Sequence, residues 1–393
     1  MAFVEDSLRR AVDIIHRQVI HPYLTSGEAQ NDREIAHERA LKLMESVQGN
    51  ELAMGIWSRL FTYEDSILET SFIGRLIPIP LGLAAGLDKD ARVARFLENG
   101  FGIVTVGSVT KVPYKGNERP RIFDLPKNDG LINRMGFPGG GTDLAEEKLK
   151  HYYSHLSGRR NMLIVNIAAS RPSFDSGTAI EDYTAAYKQL VPYADAIEVN
   201  ISSPNTPGVR GLQEPEVFED LASHIGDVRR SHVPLGYKFS PDLSSETLQR
   251  DIRIAIDHGA NFVTLTNTST DPNLRDSLKP DKYKDEVGGM SGALLETKAL
   301  QVSYEAYQYS GGGVDIVRVG GIGRSARDIW DGLTYGGATV VETYAAFVRR
   351  PTSTPNFTYY LMRDLANAMR AEGMTSMEDF KALRGKGVPF PKI

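Results

Sequence analysis

The chain of 393 residues contains no cysteine, and this absence excludes several kinds of chemistry. Without thiols the chain forms no disulfide bonds, offers no thiolate ligand to zinc or to an iron-sulfur cluster, and has no cysteine nucleophile. Any reaction that it catalyses must therefore use oxygen or nitrogen groups, or a bound cofactor.

Long apolar runs and blocks of basic charge are also missing. The most apolar segment, LIPIPLGLAAGL, contains two prolines and is well short of the ~20 residues that span a bilayer. The net charge is -5 with both signs interspersed, so we expect no nucleic-acid partner. The first residues, MAFVEDSLRR, lack the basic start and apolar stretch of a signal peptide, so export is not expected.

Short β-branched segments alternate with amphipathic stretches from about residue 80 onward. This alternation predicts strand–helix units around a parallel sheet, and eight units in about 290 residues predict an α/β fold of the (β/α)8 TIM-barrel type. An open doubly wound sheet competes, but no Gly-x-Gly-x-x-Gly follows the first strand. The predicted strands are Pro80–Gly86, Gly102–Ser108, Met162–Ile167, Ala196–Asn200, Pro234–Phe239, Phe262–Asn267, Val314–Gly320 and Ala338–Tyr344.

A small N-terminal helical extension precedes the barrel, and we place the two domains at 1–65 and 66–393. We expect Pro22 to end the first helix, and the segment ILETSFIGRLIPI to form a hairpin that leads into the barrel. Periodicity alone favours packing of the helices on the barrel. The apolar positions are Leu8, Val12, Ile15 and Val19 in the first helix, Ala36, Ala40, Met44 and Val47 in the second, and Trp57, Leu60 and Phe61 after it.

Polar residues and glycines gather where the predicted strands end, which is where barrels of this type place their active sites. Several asparagines at one mouth suit a planar ligand such as a cyclic imide, because each amide offers both donors and an acceptor. A single asparagine would more simply be a turn or cap residue. The set comprises Ala84, Ala85, Gly86, Lys89, Ser108, Asn166, Asn200, Ser203, Asn205, Lys238, Thr266, Asn267, Thr268, Gly320, Gly321 and Tyr344, with Asn133 and Phe137 from the segment after strand two.

A phosphorylated cofactor is indicated by the glycines of VGGIGR and by Tyr344, which follow strands seven and eight. Barrels commonly bind phosphate there through backbone amides, and we expect GGMSGALLE to supply another glycine-rich helix start. Lys238 is compatible with a Schiff-base lysine or with a fixed cation beside a flavin. The eight histidines show no metal-ligand spacing, so no metal is expected.

Several long segments, in this order, resemble the dihydroorotate dehydrogenases, and in particular the class 2, quinone-linked, membrane-associated members. The resemblance runs from about Asp32 past Tyr344. It is carried by GLAAGLDKD, GNERPRIF, LINRMGF, NISSPNTPGVRGLQ, LTNTST, GGMSGALL and VRVGGIG. Matches of this length in the right order are more specific than one short motif.

The resemblance implies a flavin oxidoreductase of pyrimidine biosynthesis that converts dihydroorotate to orotate and passes electrons through FMN to a membrane quinone. It implies Ser203 as the catalytic base. It implies substrate contacts from Lys89, Asn133, Phe137, Asn200, Asn205, Asn267 and Thr268. It implies FMN contacts from Ala84, Ala85, Gly86, Ser108, Asn166, Asn200, Lys238, Thr266, Ser291, Gly292, Gly320, Gly321, Tyr344 and Ala345.

The extension resembles the quinone tunnel of class 2 members and implies peripheral association with a membrane. That membrane would be the bacterial cytoplasmic membrane, or the mitochondrial inner membrane if a targeting segment has been removed. Four positions depart from the family pattern. Asp124 stands where an arginine usually helps to hold quinone, Pro138 follows GF where asparagine is usual, NIAAS lacks the usual Gly-Lys, and Ala345 stands where threonine is common. The alternatives are a Schiff-base lyase built on Lys238, a non-catalytic ligand-binding barrel, and a related flavoprotein with another electron acceptor.

Overall fold

The computed structural model describes residues 2–154, 160–349 and 356–391. Helices come first along the chain: α1 (Ala2–Ile15), a π-helical turn (His16–Ile20), α2 (His21–Thr25), α3 (Arg33–Gln48) and α4 (Glu51–Phe61). Pro22 lies in the first turn of α2. A proline there loses no hydrogen bond, because the first N–H groups of a helix have no partner within it. The expectation that Pro22 ends a helix was wrong.

The helix α1 has its polar side toward the protein. Arg9, Asp13 and His16 are buried, whereas Leu8, Ile15 and Val19 are 47%, 52% and 61% exposed. The Arg9 guanidinium donates to the Leu60 carbonyl at 2.6 Å, which satisfies part of its buried charge. The packing of this apolar face on the barrel, which periodicity alone favoured, was therefore wrong for α1.

All eight predicted barrel strands are confirmed, and so is the hairpin before them, which is β1 paired with β2. The strands are β1 (Thr70–Phe72), β2 (Arg75–Ile77), β3 (Leu81–Leu83), β4 (Ile103–Val109), β5 (Ile122–Leu125), β6 (Gly130–Asn133), β7 (Met162–Ile167), β8 (Ala196–Asn200), β9 (Leu235–Phe239), β10 (Phe262–Leu265), β11 (Gly289–Gly292), β12 (Asp315–Val319) and β13 (Val340–Thr343). The closed barrel runs β3-β4-β7-β8-β9-β10-β12-β13, and each neighbouring pair is parallel.

Helices follow the barrel strands and cover the barrel, as the alternating pattern predicted. The later α-helices are α5 (Ala94–Leu97), α6 (Gly141–Ser154), α7 (Arg171–Asp175), α8 (Ala179–Leu190), α9 (Pro215–Val228), α10 (Ser245–Asp257), α11 (Pro272–Asp276), α12 (Glu296–Ser310), α13 (Ala326–Leu333), α14 (Ala345–Arg349) and α15 (Phe357–Ala371). Short 3-10 helices span Gly27–Gln30, Ser66–Leu68, Pro126–Asn128, Val191–Tyr193, Val209–Gln213, Ala293–Leu295 and Met377–Leu383. Within the described ranges, no helix combines the length and the apolar character needed to cross a bilayer.

A separate three-stranded antiparallel sheet, β5-β6-β11, brings two distant segments together. In its register Asn133 lies opposite Gly289, and Leu131 lies opposite Ser291. The segment GGMSG was expected to be a glycine-rich helix start, but it forms β11, and α12 begins only after the following 3-10 turn.

The hydrophobic core of the barrel continues into the N-terminal helices. Leu41 of α3 and Met54 of α4 belong to the same buried cluster as the barrel strands. Trp57 stacks against α5, with 4.5 Å between its ring centroid and that of Phe96. Because the packing is continuous, it does not mark a domain boundary near residue 65, and that boundary stays a prediction.

Candidate active site

A cavity of about 1050 Å³ opens at the carboxyl ends of the barrel strands. Of the residues predicted for the site, all except Asn166 line this cavity. Asn166 is fully buried in β7, where its amide donates to the carboxylate of Glu198. The strand-end residues thus come together because parallel strands deliver their carboxyl ends to one face of a barrel.

The asparagines around the cavity form two hydrogen-bonded pairs. The Asn200 amide donates to Ser108 Oγ at 3.0 Å, and its oxygen accepts from Asn267 Nδ2 at 3.2 Å. Across the mouth, Asn205 Nδ2 donates to Asn133 Oδ1 at 3.1 Å. These bonds fix the amide planes in advance, so a planar ligand would meet oriented donors and acceptors.

Ser203 lies in the loop after β8, buried against the same cavity. Its hydroxyl oxygen accepts a hydrogen bond from the backbone N–H of Asn205 at 3.3 Å. Its neighbour Ser202 has a different task, since its hydroxyl bridges Asn200 Oδ1 at 3.2 Å and Asn267 Nδ2 at 3.0 Å. The two adjacent serines therefore have different roles: Ser203 faces the cavity, and Ser202 supports the side-chain amides of Asn200 and Asn267.

Lys89 reaches the cavity from the loop after β3 and is paired with the N-terminal extension. Its ammonium lies 3.7 Å from the carboxylate of Glu34 in α3, which also accepts from Arg121 at 2.7 Å. Burial alone would raise the pKa of Glu34, but the Arg121 guanidinium and the Lys89 ammonium outweigh it and hold that pKa below its usual range. This link between α3 and the site was missed by sequence reasoning, because nothing in REIAHERA singles out one glutamate.

The opposite side of the cavity has glycine loops and hydroxyls that suit a cofactor. Gly320 and Gly321 have φ of +117° and +75°, and a Cβ on Gly321 would lie 2.5 Å from Glu296. Only glycine allows the loop to turn so closely onto α12. Among the described residues, the buried hydroxyls of Thr266, Thr268 and Ser291 have no hydrogen-bond partner, although all three line the cavity.

Charged residues lie at the floor of the cavity, inside the barrel. The Lys238 ammonium is 4.0 Å from Glu198 Oε1, and Thr105 Oγ1 donates to Glu342 Oε1 at 2.6 Å. Both glutamates are buried. Sequence reasoning found Lys238 but missed the two carboxylates. The signal was a charged residue in the middle of AIEVN and of VVETY, two segments otherwise apolar enough for buried strands.

Phe137 enters the cavity from a strained turn. Its φ is +55° and it follows Gly136, whose φ is +71°. A phenylalanine in the left-handed region costs roughly 1–3 kcal/mol, and such residues cluster at ligand sites. Gly107, at the predicted end of the second strand, also lines the cavity. Further lining residues that were not predicted are Met135, Gly136, Pro138, Leu295, Val319, Ile322, Glu342 and Thr343.

A second cavity, of about 880 Å³, lies between the extension and the barrel mouth. Tyr344 lines both cavities. Burial raises the pKa of the Tyr344 phenol to about 12, so it stays protonated at neutral pH. The apolar part of the lining consists of Leu24, Ala36, Ala40, Met44, Leu87, Ile122, Leu131, Phe347 and Val348.

Asp124, one of the departures from the family pattern, lines this second cavity between two arginines. Its carboxylate accepts from Arg33 Nη2 at 2.9 Å and from Arg349 Nε at 2.6 Å, and Arg349 also pairs with Asp129. Cations are thus present at this end of the cavity, but they come from other positions. His37 lies nearby with Nε2 2.7 Å from the Leu87 carbonyl, and burial lowers its pKa to about 4.

The fold and the site together define a (β/α)8 barrel with one large polar cavity at the carboxyl ends of its strands. Residues 67–365 match the profile of the dihydroorotate dehydrogenase family. Similar proteins include the dihydroorotate dehydrogenase (quinone) of Thermus thermophilus, 35% identical over 89% of this chain and 97% of the relative. That of Sphingopyxis alaskensis is 34% identical over 95% of this chain and 97% of the relative.

Solved structures agree with the sequence relatives. The Eimeria tenella dihydroorotate dehydrogenase in complex with ferulenol superimposes with a TM-score of 0.77 at 28% identity, covering 90% of this chain and 95% of that one. Its ligand-free form gives the same TM-score and covers 99% of that chain. The chain belongs to the dihydroorotate dehydrogenase family, whose enzymes are flavoproteins.

Proposed function

We propose that this protein oxidises dihydroorotate to orotate and passes the electrons through FMN to a quinone. The observation that carries the proposal is a single cavity in which the asparagine pairs and Ser203 face glycine loops and unpaired hydroxyls. Its relatives, which are named as quinone-linked dehydrogenases, support the acceptor. A second cavity, which is partly apolar and shares Tyr344 with the first, supports an acceptor site next to the cofactor.

The residues of the cavity fit FMN. The unpaired hydroxyls of Thr266 and Ser291 would each gain a partner from FMN, and that of Thr268 would gain one from the substrate, which removes the cost of burying them alone. The loops at Gly320–Gly321 and Tyr344–Ala345 follow the last two barrel strands, where a phosphate is commonly bound. When bound, FMN supplies the hydride acceptor; the rest of the chemistry belongs to the side chains.

Ser203 takes the proton from the carbon next to the one that loses hydride. Serine is intrinsically a weak base, so the step depends on position and on onward transfer of the proton to water or a neighbouring hydroxyl. The two pairs formed by Asn133, Asn200, Asn205 and Asn267 hold the pyrimidine amides, and Lys89 lies near the substrate carboxylate. Substrate binding thereby places the carbon within reach of a base that is fixed in advance.

The Schiff-base alternative is disfavoured by the surroundings of Lys238. A lysine that attacks a carbonyl must be neutral, whereas this ammonium is ion-paired with the buried Glu198. Its place at the cavity floor suits a fixed cation beside the electron-rich edge of a flavin better.

The purified protein is expected to be yellow and to release FMN on denaturation, because the glycine loops and the unpaired hydroxyls together make a pocket for a phosphorylated cofactor. The absorbance spectrum and chromatography of the released flavin measure this. A colourless protein in which borohydride and a carbonyl substrate modify the Lys238 peptide would instead support a lyase.

Asn133→Ala and Asn205→Ala are each expected to weaken orotate binding by about 1–3 kcal/mol, because each leaves a buried polar group of the ligand unpaired. The two amides are hydrogen-bonded to one another, so the double variant should lose less than the sum. Titration of the flavin spectrum with orotate measures the affinity. Asn128→Ala is the control, since Asn128 bonds the Lys279 backbone outside the cavity. Unchanged orotate affinity in both cavity variants would remove them from the site.

The extension, residues 1–65, is proposed to admit quinone and to hold the protein on a membrane surface. Helices α2 and α3 contribute Leu24, Ala36 and Met44 to the second cavity. The neighbouring α1 and the π-helical turn after it carry Leu8, Ile15 and Val19 on their solvent side. An amphipathic helix whose apolar side chains are exposed is suited to lie at a membrane interface. The Asp124 carboxylate lies between Arg33 and Arg349. These two arginines are therefore the cations that a quinone head group would meet in this cavity.

A further inference from the structure

Two buried carboxylates share one lysine at the floor of the site cavity. Glu198 and Glu342 are 0% and 1% exposed, and Lys238 is 5% exposed. The lysine lies 4.0 Å from Glu198, whereas the hydrogen bond that Glu342 receives comes from the neutral Thr105. One ammonium neutralises one carboxylate, so full ionisation of the set would leave an uncompensated negative charge inside the barrel, which is costly.

No other charge among the described residues compensates Glu342. In the sheet its neighbours are Gly82 on β3 and Val319 on β12. The nearest cation on β12, Arg318, turns away from the barrel interior and donates to the carbonyls of Asp328 and Glu296. The charged groups that act on Glu342 are therefore Glu198 from β8 and Lys238 from β9.

The second oxygens of the two carboxylates are also informative. Within the described part of the chain, Glu198 Oε2 and Glu342 Oε2 are buried without a hydrogen-bond partner. For Glu342, which forms no ion pair with another described residue, this situation favours the protonated form, which removes the charge and converts an unpaired acceptor into a donor. Glu342 also lines the site cavity, so such a donor would lie at the surface that a cofactor contacts.

We propose that Glu342 holds a proton at the cavity floor, and that binding of this proton is coupled to reduction of the cofactor. The inference rests on the proposed flavin function. Glu342 acts as a positioning residue: in the protonated state it keeps the floor of the cavity neutral beside the ion pair of Lys238 and Glu198. A two-electron, one-proton reduction leaves a negative charge on a flavin ring, and this charge strengthens the hold of Glu342 on its proton.

The sign of the coupling follows from the direction of the shift. Burial, and then the charge of Glu198, raise the pKa of Glu342 to about 8 against the opposing effects of Lys238 and Thr105. Below that pH both redox states carry the proton, and this group adds no pH dependence. Above it, the oxidised enzyme has lost the proton and reduction must take it up. One proton taken up lowers the equilibrium constant for reduction by an additional factor of about ten per pH unit.

The test compares the pH dependence of the flavin midpoint potential in the holoenzyme and in Glu342→Gln, by spectroelectrochemical titration. The plot of the wild-type midpoint potential against pH should become steeper near pH 8, and this change of slope is the break that the variants are expected to remove or move. The curve of Glu342→Gln should show no break there, because glutamine imitates the protonated acid and does not titrate. At lower pH the two curves should converge, since both side chains are then neutral.

Two neighbouring substitutions should move the break in opposite directions. Glu198→Gln removes the repelling charge and leaves Lys238 to pair with Glu342, so the break should move to lower pH. Thr105→Val keeps the shape of the side chain but removes the hydrogen bond to the carboxylate, so the break should move to higher pH. A general loss of packing would not produce opposite shifts.

The outcomes separate this inference from the function on which it rests. Flavin-loaded protein with the same break in the wild type and in Glu342→Gln would overturn the inference alone, as would shifts of one sign in both neighbouring variants. Purified protein without flavin would overturn the proposed cofactor and the inference with it. If Glu342→Gln fails to fold, the opposite shifts in Glu198→Gln and Thr105→Val still decide the question.

Discussion

Replacing Ser203 with alanine is expected to slow reduction of the bound flavin by dihydroorotate by roughly 10²- to 10⁴-fold, the usual contribution of a positioned proton acceptor. The flavin should remain bound, because the Ser203 hydroxyl contacts the Asn205 backbone and lies on the asparagine side of the cavity. Anaerobic stopped-flow measurement of flavin bleaching reports this step separately from reoxidation by the acceptor.

Ser202→Ala and Ser203→Cys are the matched controls. The Ser202 hydroxyl holds Asn200 and Asn267, so its loss should reduce the rate less and should appear mainly as weaker substrate binding. Cysteine at 203 restores a group that accepts a proton, so it should recover part of the rate that alanine loses. Flavin reduction at the wild-type rate in Ser203→Ala would show that the base lies elsewhere.

The barrel and most of its mouth could be predicted because both depend on local pattern. Each strand has its own β-branched run, and the rule that active sites lie at the carboxyl ends turns positions along the chain into one surface. Asn133 and Asn267 are far apart in sequence, yet both line the same cavity. To predict that such residues share one cavity, only the direction of each strand is needed, and no distance between residues.

The buried charges could not be predicted in the same way. Glu198 and Glu342 each stand in an apolar strand, and alternation says only that they face inward or outward. That they face inward, and lie near a single lysine, depends on how the barrel closes. The link between Glu34 and Lys89 likewise depends on where α3 docks, which no periodicity fixes.

The N-terminal helices show a conflict between periodicity and packing. The same pattern of Leu8, Ile15 and Val19 that predicts an apolar face cannot say whether that face meets the barrel or the surroundings. Arg9 decides the outcome, since its guanidinium bonds the Leu60 carbonyl and lies 3.9 Å from the centre of the Tyr359 ring. The polar side of α1 is therefore held inward by specific contacts, and the apolar side is left outward.

Ile15→Glu combined with Val19→Glu is expected to weaken binding to phosphatidylcholine vesicles by roughly tenfold or more, since each apolar side chain removed from lipid forfeits about 1.5–3 kcal/mol. Turnover with a long-tailed quinone should fall in parallel. Flavin reduction by dihydroorotate and turnover with a small soluble acceptor should not change, because both side chains are more than half exposed and lie outside the site cavity. Vesicle co-sedimentation and paired acceptor assays measure the two effects.

Leu76→Glu is the control for a charge placed on an exposed apolar residue. Leu76 is 56% exposed, but it lies on β2, in the hairpin that packs at the amino ends of the barrel strands through Phe72 and Phe262. The Leu76→Glu variant should bind vesicles like the wild type, since this end of the barrel is opposite the mouth. If the variant at positions 15 and 19 also binds vesicles and uses long-tailed quinone fully, α1 does not anchor the protein. Quinone would then reach the second cavity without the help of this apolar face, and the helix would serve only to pack on the rest of the protein.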